Sequence, residues 1–74
     1  MGVHDILRVK RLDHAATLEE VARLLREADA LIGGPGYAER RATLDSRIHT
    51  QRQTATRMER EIQQLTQSLQ PRLL

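Results

Sequence analysis

The amino-acid sequence predicts an all-α protein: a short helix, a second helix, a Gly-rich turn, and a long helix that forms an antiparallel coiled-coil dimer. Three observations lead there. From Tyr37 to Leu69 apolar residues recur on alternating steps of three and four, with no Pro or Gly between them. Thr17-Leu18-Glu19-Glu20 has the form of a capping box. Gly33-Gly34-Pro35-Gly36 is a strong helix stop.

Taken along the chain, Ile6, Val9 and Leu12 lie at helical spacing and predict a short helix over residues 5–13. It is expected to end between Asp13 and Ala16. The Thr17 hydroxyl can then accept from the Glu20 amide, while the Glu20 carboxylate reaches back to the Thr17 amide, which starts a second helix over 17–32. Leu18, Val21, Leu25, Ala28 and Ile32 follow one face of it, with Leu24 and Leu31 beside them. The turn occupies 33–36. The third helix is predicted over 37–70, just short of Pro71, and would be roughly 50 Å long at 1.5 Å per residue. The whole chain, 1–74, reads as one helical dimerisation domain.

The stripe of the long helix is too narrow and too extended for the 17–32 helix to cover. An intramolecular hairpin of those two helices would leave the end from Met58 to Leu69 bare. A partner helix is therefore expected at Tyr37, Leu44, Ile48, Gln51, Ala55, Met58, Ile62, Leu65 and Leu69. With Arg41, Ile48, Ala55, Ile62 and Leu69 at position a, and Tyr37, Leu44, Gln51, Met58 and Leu65 at position d, a parallel pair would set Arg41 and Gln51 against their own copies. An antiparallel pair instead opposes Leu44 to Ile62, Ile48 to Met58 and Gln51 to Ala55 of the other chain, and brings Arg47 near Glu61.

Composition narrows the function. Seventy-four residues with a single aromatic, Tyr37, supply little core for an isolated monomer, so oligomerisation is expected. There are no cysteines to form disulfides or thiolate metal sites. The apolar stretch from Ala28 to Gly34 is far shorter than the roughly 20 residues of a membrane span, and Asp5, Arg8 and Lys10 interrupt the N-terminal segment, so no membrane association and a cytoplasmic location are expected. A net charge of +2 favours an anionic partner only weakly, and Arg8, Lys10 and Arg11 are the candidate phosphate contacts. His4, His14 and His49 are not spaced as a metal site, and no nucleophile elbow, phosphate loop or catalytic carboxylate pair is present. Neither a cofactor nor enzymatic activity is expected.

The order of a short basic helix, Thr17-Leu18-Glu19-Glu20-Val21 with Leu24-Leu25, a Gly-rich loop and a heptad helix running from Leu44 through Ile48 to Ile62 resembles the second half of a MerR-family transcriptional regulator. In that family the corresponding turn carries Leu-Gly-Phe before Ser-Leu-Glu-Glu-Ile. Here those three positions are His14, Ala15 and Ala16, so the aromatic plug is missing. The family's winged helix-turn-helix and its metal-sensing cysteines are also absent from this chain. What the resemblance implies is a regulatory dimerisation module that holds DNA-reading heads apart, binding nucleic acid only weakly or through a partner such as a full-length regulator. The competing reading is a small helical adaptor, of the kind that serves secretion or phage assembly, which captures a helix of another protein. The first implies a homodimer and the second a foreign partner.

Overall fold

The computed structural model describes residues 2–69, which form two α-helices joined by a short connection: α1, Val3–Ala30, and α2, Tyr37–Leu69. They pack against each other as an antiparallel hairpin measuring 62 × 22 × 15 Å. The shortest dimension is little more than one helix diameter. Each helix is therefore covered on one side only.

The predicted break between 13 and 17 does not exist, and the short helix 5–13 and the helix 17–32 are one element. The correction has a local cause. Thr17 is mid-helix, and its hydroxyl donates to the carbonyl of Asp13 one turn back at 2.9 Å, so it does not cap anything. Glu20 is drawn away as well, pairing with Arg23. Between Val3 and Ala30 there is no Gly or Pro, and Ala15-Ala16, at the supposed break, are the strongest helix formers available. The true start of α1 is Gly2, whose carbonyl accepts from the amides of Asp5 and Ile6 at 3.1 and 3.3 Å.

With α1 continuous, Leu7, Lys10, His14, Thr17, Val21, Leu24, Ala28 and Leu31 fall on steps of three and four, and all are buried or half-buried. This is a second heptad stripe, antiparallel to that of α2. Leu24, Ala28 and Ile48 form the core cluster, with Leu44 packed on it. The register set there puts Val21 level with Gln51, Thr17 with Ala55, and Leu7 with Leu65. Two contacts far from the cluster agree with it: Lys10 donates to Glu61 at 3.0 Å, and the Thr17 hydroxyl oxygen lies 3.5 Å from the Met58 sulfur. The buried set is Leu7, Val21, Leu24, Ala28, Ile48 and Ala55. At roughly 1.5–3 kcal/mol for each large one, this is a thin core for a chain of this length.

The connection is held at both ends. The amide of Leu31 donates to Ala28, and Gly36, at φ 76°, takes the left-handed conformation that lets Tyr37 begin α2. Arg41, which interrupts the apolar stripe of α2, donates to the Ala28 carbonyl at 3.1 Å. The last turn of α1 contains no basic residue, so α2 supplies the cation that the carbonyl end of that helix favours. The predicted end of the long helix at 70 lies outside the described residues.

Continuity of α1 gives an expected outcome for Ala16→Pro, at an exposed position. In an uninterrupted helix it costs about 3 kcal/mol or more, read as a lowered denaturant midpoint and reduced helicity by circular dichroism. An unchanged midpoint would mean that the chain does break before Thr17.

Candidate interaction surface

Ile48 and Ala55 of the predicted seam are buried, and Tyr37, Leu44, Gln51, Met58, Ile62, Leu65 and Leu69 are half-buried. The helix that faces this stripe is α1 of the same chain, because α1 is long enough to reach past Met58 to the end that a shorter helix would have left bare. What remains open on the molecule is elsewhere.

The large apolar side chains with appreciable exposure are Val3, Ile6, Val9, Leu12, Leu18, Leu25 and Ile32, and every one belongs to α1 or to the residues just after it. Every large apolar residue of α2 is at least half-buried, and its exposed residues are polar or charged apart from Ala38 and Ala42. The asymmetry follows from the α1 sequence, which carries two apolar stripes. One faces α2. The other, Ala15, Leu18, Ala22 and Leu25, lies about 100° around the helix, also on steps of three and four. Leu18 is 49% exposed and Leu25 36%. Arg11 and Asp29 continue the same stripe at its two ends.

The opposite flank of α1 carries a charged ladder from Glu20 to Glu27. Arg23 bridges Glu20 and Glu27, donating to them at 3.1 and 2.6 Å. The hydrogen bond from Arg23 holds the Glu20 carboxyl below its ordinary pKa of 4.5, outweighing the desolvation that opposes it, and the charges of Arg23 and then Arg47 lower it further. The Arg23 guanidinium is correspondingly shifted up, first by its hydrogen bond to Glu20. Both side chains are solvent-exposed, so this ladder organises the flank without anchoring the fold.

The three candidate phosphate contacts do not converge. Arg8 lies 3.5 Å from Asp5, Lys10 is paired with the exposed Glu61 of α2, and Arg11 is exposed on the apolar side of α1. A basic grouping that the sequence reading passed over lies on α2, where His49, Arg52, Arg57 and Arg60 line one shallow groove with Gln53 and Thr56. The signal was present in their spacing, but Glu59 and Glu61 mask it when charges are counted along the chain instead of around the helix. Among the described residues no cluster of His, Asp and Glu is arranged to hold a metal ion, and no helix is long and apolar enough to cross a membrane.

Compared with family models, with curated proteins and with solved structures, the chain matches none.

The Glu20–Arg23 pair sets a pH dependence whose sign is fixed. Because the folded-state pKa of Glu20 is depressed, its stabilising effect is complete above about pH 4.5 and is lost as pH falls through the lower folded value. Carboxyl chemical shifts followed by NMR are expected to give Glu20 a midpoint below that of the other exposed glutamates, and Arg23→Gln should raise it. A Glu20 midpoint indifferent to that substitution would remove the ladder.

Proposed function

We propose that this chain is a non-catalytic helix–helix interaction module, and that the outer apolar stripe of α1 is its binding surface. The observation that carries this reading is that the exposed large apolar side chains lie on α1 or just after it, with Leu18 and Leu25 on one stripe. Exposed leucines scattered singly are ordinary on any protein, but here Leu18 and Leu25 continue a heptad stripe flanked by small Ala15 and Ala22. Large residues alternating with alanines on one helix face offer a shallow, regular surface into which a second helix can pack.

The regulatory character comes from the resemblance to the C-terminal part of a MerR-type regulator, in which a helical segment pairs two chains and sets the distance between DNA-reading heads. In the hairpin, α2 is engaged with α1, so pairing is assigned to the outer side of α1. The basic grouping Arg52, Arg57 and Arg60 on α2 faces away and is the place for any accessory phosphate contact. No ion pair among the described residues occupies these three arginines.

A photo-reactive amino acid placed at 18 or 25, with Gln53 on the outer face of α2 as control, tests the assignment in cells. Adducts from 18 and 25 and none from 53 are expected. Adducts from 53 alone, or from no position, would overturn the reading.

A further inference from the structure

Resting on that reading, we infer that the partner of the α1 stripe is the α1 stripe of a second copy, packed antiparallel about a two-fold axis beside Glu20. The stripe specifies its own register. When Leu18 of one copy is set against Ala22 of the other, Leu25 meets Ala15, and the two-fold axis repeats both layers. Each leucine then faces an alanine, so large meets small in four consecutive layers and the two helices approach closely.

Charge selects the same register independently. With those layers in place, Arg11 of one copy stands opposite Asp29 of the other at each end of the overlap. Neither residue has an ion-pair partner within its own chain among the described residues, and both are exposed. Asp29 lies in the last turn of α1, where a negative charge opposes the helix dipole and an incoming guanidinium relieves it. The register one heptad away, with Ala22 against Leu25, sets Leu18 against Asp29 and loses these pairs. The overlap from 11 to 29 spans about 28 Å of helix. One unfavourable contact remains, since Glu19 approaches its own copy near the axis. It sits on an exposed position, where the cost is small.

The pairing leaves both α2 helices outside, with their polar faces in water. It also adds apolar burial to a hairpin whose own core is thin, using an apolar stripe that the hairpin leaves open.

The test is a charge exchange read by sedimentation equilibrium on the whole chain. The parent is expected to be a dimer. Arg11→Asp and Asp29→Arg each turn two attractive pairs into two repulsive ones and should weaken it on the order of tenfold. An equimolar mixture of the two variants is expected to recover dimer close to the parent affinity, because each variant complements the other. Leu18→Glu should give monomer with unchanged helicity, and Glu19→Gln should tighten the dimer. A parent that stays monomeric at high concentration overturns the inference, as does a dimer unaffected by Leu18→Glu or a mixture that does not recover. If the parent is monomeric while positions 18 and 25 still cross-link to a different protein, the second copy is excluded and the interaction module stands. If neither occurs, both fall.

Discussion

The unbroken path of α1 from Val3 to Ala30 is the constraint on which the rest of the molecule depends. A helix interrupted at 13–17 could present Val21, Leu24 and Ala28 to α2, but it could not carry Leu7, Lys10 and Thr17 along the same line. Continuity turns two short contact segments into one stripe, and that stripe is long enough to lie against most of α2. Several otherwise awkward residues then have roles. Arg41 is a poor seam residue in a dimer of α2 helices, yet in the hairpin it reaches the exposed carbonyl end of α1. Lys10 occupies a seam position and sends its ammonium outward to Glu61, so its aliphatic stem can cover apolar surface while the charge stays hydrated.

Polar residues in the seam also limit what the hairpin can do alone. Lys10, His14, Thr17 and Gln51 occupy positions that a fully apolar pair would give to Leu or Ile. They reduce burial. The outcome is a rod one helix thick, with a modest core, a polar α2 surface and an apolar outer stripe on α1. Stability and association are thereby divided between two sides of the same helix.

Much of α2 was legible from the amino acids. Its start at Tyr37 and the uninterrupted stripe through Leu44, Ile48 and Ile62 follow from spacing and from the stop signal, although α1 ends at Ala30, two residues before the predicted 32. α1 was not, for two physical reasons. Thr-x-x-Glu marks a helix start only where the preceding residues cannot be helical, and Asp13-His14-Ala15-Ala16 are all compatible with a helix, so Thr17 bonds back to Asp13. The buried stripe of α1 was also hidden by its own polar members. Ile6, Val9 and Leu12, and then Leu18, Leu25 and Ile32, are the more conspicuous apolar residues, and these are the ones the fold exposes. A search for matching three-four spacing regardless of polarity would have found Leu7 to Leu31. The seam residues of α2 are all buried or half-buried, but which helix faces them depends on the length of α1, and that depends on the missing break.

Intramolecular pairing of α1 with α2 is most directly tested by a distance measured within one chain. The sequence has no native cysteine, so spin labels can be introduced at Asp13 and Glu59, exposed residues placed level by the hairpin register. Pulsed electron resonance on doubly labelled chain diluted into a large excess of unlabelled chain then reports only distances within a molecule. Helices packed at about 8–10 Å predict a short, narrow label separation, on the order of 20 Å, that survives dilution. A short separation that disappears on dilution, or a long one from the outset, would show that α2 pairs with another chain and would contradict the hairpin.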